Sequence, residues 1–139
     1  MRNSKPILLV EADRAQALMV ELALKHLKIT NQLVHIMDGK EALAYLRKEA
    51  IKKPCLILLD LTMPKVDGIE FLKNLNADDT LKNIPILVLV MSEQVSAVVE
   101  AFKLNVTGYI VKPVDYKKLG EALRTIDIYW TLSELPNDQ

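Results

Sequence analysis

The stretch LILLDLTMPKVDG, residues 56–68, runs four apolar residues straight into Asp60 and closes eight positions later on Asp67-Gly68. The apolar run begins at Cys55 and is unbroken to Leu59, with no alternation. Strands covered on both faces look like this, and parallel sheets place their strands there. Ile7–Val10, Ile86–Val90 and Tyr109–Val111 have the same character. A weaker run, Leu33–Ile36, follows the turn-prone Thr30-Asn31-Gln32 and supplies a fifth strand.

The gaps between these runs have helical spacing. Asp13 to Lys28 has Leu18, Leu22 and His26 four apart, with Ala15, Met19 and Ala23 alongside. Gly39 to Ala50 has Ala42, Leu43, Leu46 and Ala50; Ile69 to Leu75 has Phe71, Leu72 and Leu75. Ser92 to Leu104 has Val95, Val98, Val99 and Phe102, and Asp115 to Leu132 has Leu119, Leu123, Ile126 and Trp130. Each set predicts one apolar stripe. Strand and helix therefore alternate five times, which predicts an α/β domain with a five-stranded parallel sheet and helices on both faces.

Size and charge narrow the function. A chain of 139 residues fits a single domain, here residues 1–139. At that length about two thirds of the unfolded surface is buried, so no staples are needed. Lys plus Arg and Asp plus Glu are 18 each, which gives no electrostatic support for nucleic-acid binding. The lone Cys55 excludes a disulfide framework and suits core packing in a reducing, cytoplasmic setting. The longest nearly unbroken apolar stretch, Ile84–Met91, is far below the ~20 residues that span a bilayer, and the N-terminus lacks the features of a secretory signal. No membrane association is expected.

In an open α/β sheet, ligands bind beyond the carboxyl ends of the strands. Glu11, Ala12 and Asp13 follow the first run, Asp60 the third, Met91 and Ser92 the fourth, and Lys112-Pro113 the last. Two acids and a lysine thus converge on one edge. A carboxylate at the end of a buried strand loses hydration and needs a cation, and Lys112 is the obvious partner for Asp60. An ion pair that merely closes the sheet is the bland alternative. Asp67 is placed to cap the next helix, and Gly68 admits close backbone approach.

On these residues the chain resembles the receiver domains of two-component response regulators. The motifs are VEAD at 10–13, DLTMPKVDG at 60–68 and YIVKP at 109–113, and the likeness covers nearly the whole chain. Ile128-Tyr129-Trp130-Thr131-Leu132 is also similar to small, stand-alone phytochrome-associated regulators. The resemblance implies a flavodoxin-like (βα)5 receiver fold. It implies that Asp60 accepts a phosphoryl group from a sensor histidine kinase, that Lys112 pairs with a phosphoryl oxygen, and that the Lys112–Pro113 bond is cis. It further implies that Glu11 holds Mg²⁺ through water, with Asp60 and the Thr62 carbonyl as ligands. Tyr109 would be the switch aromatic, although packing at a strand start also explains it.

Three positions depart from the family pattern. Ala12 replaces the acid that normally touches the metal, and Asp13 comes one residue late, where it serves better as a helix cap than as a metal ligand. Val90 replaces the switch hydroxyl. Met91 replaces a small residue beside the phosphorylation site. Losing a carboxylate ~4 Å from a divalent ion costs up to several kcal/mol at an effective dielectric near 20. With ~1.4 kcal/mol per tenfold, Mg²⁺ affinity falls about a hundredfold unless Asp13 compensates. The missing Val90 hydroxyl costs the phosphorylated state ~1.5–3 kcal/mol. The expectation is a receiver with impaired Mg²⁺-dependent phosphorylation, Mg²⁺ being held weakly or not at all. The alternative is a phosphorylation-independent pseudo-receiver that works as an interaction module.

An enzyme is disfavoured. A haloacid-dehalogenase-type phosphatase needs a second Asp where Thr62 stands, EADRA cannot form a flavin phosphate loop, and GxxxxGK[ST] is absent. Surplus apolar residues on Ser92–Leu104 (Ala97, Ala101, Leu104) and on Asp115–Leu132 (Ile128, Tyr129, Leu132) mark either an interface or a hydrophobic end-cap on the core; the resemblance implies a homodimer through this face, with the downstream protein target left open.

Overall fold

The computed structural model describes residues 5–61, 67–94 and 97–125. Five strands, β1 (Ile7–Val10), β2 (Leu33–Ile36), β3 (Leu56–Asp60), β4 (Ile86–Val90) and β5 (Gly108–Val111), alternate with α1 (Arg14–His26), α2 (Gly39–Arg47), α3 (Gly68–Asn76), α4 (Ala97–Phe102) and α5 (Tyr116–Thr125). They form one sheet in the order β2-β1-β3-β4-β5, with every neighbouring pair parallel. This is the five-stranded parallel α/β sheet expected from the apolar runs, in the flavodoxin-like form that the resemblance implies.

The unbroken runs are explained by two core layers. Leu8, Val10, Ile57, Leu59, Val88 and Val90 face one way, against α2, α3 and α4. Ile7, Leu9, Leu56, Leu58, Leu87 and Leu89 face the other way, against α1 and α5. Alternate residues of a strand point to opposite faces, so a strand covered twice must be apolar throughout. Each fully buried side chain of this size contributes about 1.5–3 kcal/mol.

Asparate-capped helix starts recur where strands give way to helices. Asp13 Oδ1 accepts from Ala15 N at 2.8 Å, Asp38 Oδ1 from Glu41 N at 2.8 Å, and Asp67 Oδ1 from Glu70 N at 2.9 Å. Each satisfies a helix N–H that has no partner within the helix. Gly68 is required by contact. Its N–H donates to the Leu61 carbonyl at 2.9 Å, and a Cβ there would sit 2.5 Å from Leu61 Cα.

Two sequence expectations need correction. On α1 the stripe Leu18, Leu22 and His26 faces solvent, with Leu18 53% and Leu22 55% exposed. The helix instead buries Ala17, Val20, Ala23 and Leu24. These residues also stand three and four apart, and they share one core layer with Leu119 and Leu123 of α5. The segment Ser92–Leu104 is also shorter in α-helix than expected among its described residues, with 95 and 96 outside them. A 3₁₀ turn spans Ser92–Gln94 and α4 spans Ala97–Phe102. Ala101, expected on its outer side, is fully buried, while Phe102 is 46% exposed. Smaller shifts occur at other ends: α2 stops at Arg47 rather than Ala50, and β3 takes in Asp60. The Ile126–Leu132 part of the predicted last helix lies outside the described residues.

Candidate functional site

The strand order reverses between β1 and β3: β2 lies on one side of β1, while β3, β4 and β5 continue on the other. Such a switch point opens a crevice at the carboxyl ends of the two strands. Glu11 directly follows β1 and Asp60 ends β3, so the topology places both acids at this crevice. Lys112 follows β5, two strands from β3 and three from β1. With strands about 4.8 Å apart, only a long cationic side chain laid across β4 reaches them.

Lys112 does so. Its Nζ lies 2.9 Å from Glu11 Oε1 and 3.3 Å from Asp60 Oδ1. All three side chains are withdrawn from solvent, being 7% (Lys112), 1% (Glu11) and 8% (Asp60) exposed. Glu11 Oε2 accepts from the Asp13 N–H at 3.1 Å. The Glu11 carbonyl accepts from His35 Nε2 at 2.8 Å, which ties the end of β1 to β2. The backbone of Lys112 donates to the Val90 carbonyl at 2.7 Å, and the Lys112–Pro113 peptide is cis.

Burial pushes the Glu11 carboxyl above its ordinary value, and the neighbouring Asp60 charge adds to this; the Lys112 hydrogen bond and charge oppose both. The trio holds two carboxyls against one ammonium. That arrangement neutralises part of the acidic charge internally and leaves a carboxylate, Asp60, beside a fixed cation at the mouth of the sheet. Such a pair suits an oxygen nucleophile whose product carries extra negative charge.

The predicted site residues separate into those brought together and those not. Glu11, Asp60 and Lys112 meet. Asp13 stands next to them in the chain, and its Oδ1 is taken up by the Ala15 and Gln16 N–H groups at 2.8 and 3.3 Å. The capping role is the one its carboxylate occupies. Val90 is fully buried with no hydroxyl to offer the crevice. Tyr109 is 44% exposed and meets Phe102 edge-on, with ring centroids 6.5 Å apart. Met91 is 42% exposed. Thr62 lies outside the described residues.

The described residues give the metal expected at this crevice few side-chain donors. Glu11 Oε1 and Asp60 Oδ1 face an ammonium, Glu11 Oε2 holds a backbone N–H, and Ala12 supplies no donor. Among the described residues, no three Asp, Glu, His or Cys side chains are grouped to hold an ion. The described side chains therefore offer a divalent cation two carboxylates that already face Lys112.

Sequence reasoning paired Lys112 with Asp60 and missed that Glu11 is its nearer partner. Glu11 was assigned to a metal, and nothing in its local sequence indicates an ammonium 101 positions away.

Comparison with known proteins gives a consistent picture. The family model for the response regulator receiver domain matches residues 7–124. Response regulator Rcp1 of Synechocystis sp. is 36% identical over 130 residues, covering 91% of this chain and 88% of that protein. A solved structure of Rcp1 in its Mn(2+)-bound form has a TM-score of 0.76 at 35% identity, covering 94% of this chain and 97% of that one. The bacteriophytochrome response regulator RtBRR has a TM-score of 0.85 at 36% identity, covering 96% and 84%. The phosphorylated cyanobacterial phytochrome response regulator RcpA has a TM-score of 0.77 at 36% identity, covering 92% and 94%.

Proposed function

The chain belongs to the response regulator receiver domain family, and from that premise we propose that Asp60 is its phosphoacceptor and a sensor histidine kinase its donor. The observation that carries this is the buried Lys112 ammonium 3.3 Å from Asp60 Oδ1 at the switch point of the sheet. An Asp60 oxygen attacks the phosphorus of the kinase phosphohistidine. The P–O bond forms as the P–N bond breaks, and the imidazole leaves with its electron pair and takes a proton from solvent. The protein's part is positioning and charge. Lys112 stabilises the oxygens of the transferring group, and to do so it exchanges part of its contact with Glu11 for the new charge. Glu11 is the internal counter-charge that keeps the ammonium in place before transfer.

We further propose that Mg²⁺ assists this step weakly or not at all, because the described residues give it few side-chain donors and Ala12 contributes none. Receiver domains are signalling modules, and we assign this protein no enzymatic turnover of its own. It acts in the cytoplasm through protein contacts. Exposed Phe102 and Tyr109 support a homodimer through the 92–104 and 115–132 segments, and sedimentation that finds only monomer at micromolar concentration would remove that claim.

The phosphoacceptor assignment is tested by incubating the protein with a cognate kinase or a small phosphodonor and weighing it by mass spectrometry. Gain of one phosphoryl group that disappears in Asp60→Asn is the expected result. Label that persists in the variant would refute it. Ala12 and Val90 favour a second reading, an interaction module independent of phosphorylation, and absence of label in the native protein would select it.

A further inference from the structure

Lys118 lies in the first turn of α5, yet its ammonium reaches back along the connection from β5. Nζ donates to the Val111 carbonyl at 3.1 Å and to the Pro113 carbonyl at 3.1 Å. These two carbonyls flank Lys112 on either side. The base of Lys118 is itself fixed, since its N–H donates to Asp115 Oδ1 at 2.8 Å. The turn that carries Lys112 is therefore clamped from outside by a second lysine, while Lys112 stretches across β4 to Glu11 and Asp60.

A long side chain held at its tip is only as well placed as its root. Lys112 leaves the sheet one residue past β5, and its own N–H bond to Val90 holds just one side of that root. We propose that Lys118 is a positioning residue: by clamping the Val111–Pro113 turn it keeps the Lys112 ammonium between Glu11 and Asp60. Lys118 also lines a groove of about 550 Å³ between β5 and α5, together with Phe102, Tyr109, Val111 and Glu121. It is the cation among the described residues lining that groove. Lys118 therefore touches both the turn that carries Lys112 and this groove. The chemical consequence rests on the assignment of Asp60 as phosphoacceptor; the clamp on Lys112 does not.

The test uses the full chain with ¹⁵N-labelled lysine, as wild type, Lys118→Ala and Lys118→Arg. An ammonium held between two buried acids is shielded from exchange and gives a resolved signal, assigned by through-bond correlations in the ¹³C,¹⁵N-labelled wild type. In Lys118→Ala this signal is expected to broaden away, and the rate of labelling by a small phosphodonor to fall about tenfold, equivalent to ~1.4 kcal/mol. Lys118→Arg keeps both, because its donors still reach the carbonyls. A Lys112 signal unchanged in Lys118→Ala, or missing from the wild type, overturns the proposal. If the wild type shows the signal and its dependence on Lys118 but takes no phosphoryl group, the Asp60 assignment fails and the clamp stands.

Discussion

Replacing Lys112 by methionine keeps most of the side chain's length and removes its charge, leaving Glu11 and Asp60 buried without their shared cation. At 2.9 and 3.3 Å the two attractions are each about 5–6 kcal/mol at an effective dielectric of 20. Desolvation of three ions offsets most of that sum, and removing one partner of a buried pair costs about 3–5 kcal/mol net. Against a total stability of about 5–15 kcal/mol, the variant is expected to be close to unfolding at neutral pH. The cost depends on pH with a definite sign. Glu11 already has a folded pKa raised above its ordinary value of 4.5, so its contribution to stability is full below that value and is lost as pH rises through the folded one. Removing Lys112 raises the folded value further, and the loss deepens and extends to higher pH. Urea unfolding followed by circular dichroism at pH 5 and pH 7.5 checks this. The gap between wild type and Lys112→Met should be several kcal/mol at pH 7.5 and clearly smaller at pH 5. A gap below about 1 kcal/mol at pH 7.5, the scale of an exposed pair, or one that grows as pH falls, would refute the reasoning.

Ala12→Asp places a third acid at the crevice and is expected to tighten Mn²⁺ binding at least about tenfold, a gain of ~1.4 kcal/mol; paramagnetic broadening of amide signals near Asp60 reads this, and equal broadening in both proteins would count against the shortage of side-chain donors. Gly68→Ala forces a Cβ onto Leu61, with contacts of 2.5 Å to Cα and 2.6 Å to the carbonyl oxygen. It should cost about 1–3 kcal/mol in urea unfolding, as overpacking does. Leu22→Ala on the exposed face of α1 should change stability by no more than about 0.5 kcal/mol, while Leu24→Ala on the buried face should cost about 2–5 kcal/mol; thermal melts of the two variants separate the faces.

Much of the fold was legible because its causes are local. Ile7–Val10, Leu56–Leu59 and Ile86–Val90 are apolar at every position, and only a strand covered on both faces demands that. Asp67-Gly68 is likewise a local signal, with the acid for the helix N–H groups and the glycine for the approach to Leu61. The face of α1 was not legible. Leu18 and Leu22 repeat at the same spacing as Val20 and Leu24, so periodicity allows either face, and only the packing against the sheet and α5 distinguishes them. Lys118 was equally silent. It is one of two adjacent lysines, and only the phase of α5 turns it, and not Lys117, towards the carbonyls beside Lys112.

By itself the sequence determined the alternation of strand and helix and which groups arrive at the carboxyl ends of the strands. Those outcomes depend on burial pattern and capping within a few residues. Only the tertiary structure decided which charges meet. The order β2-β1-β3-β4-β5 sets Glu11 and Asp60 on adjacent strands and Lys112 across β4 from both. The energy of a buried ion pair depends on separations of a few ångströms, which strand order and sheet spacing impose and no local spacing of residues encodes.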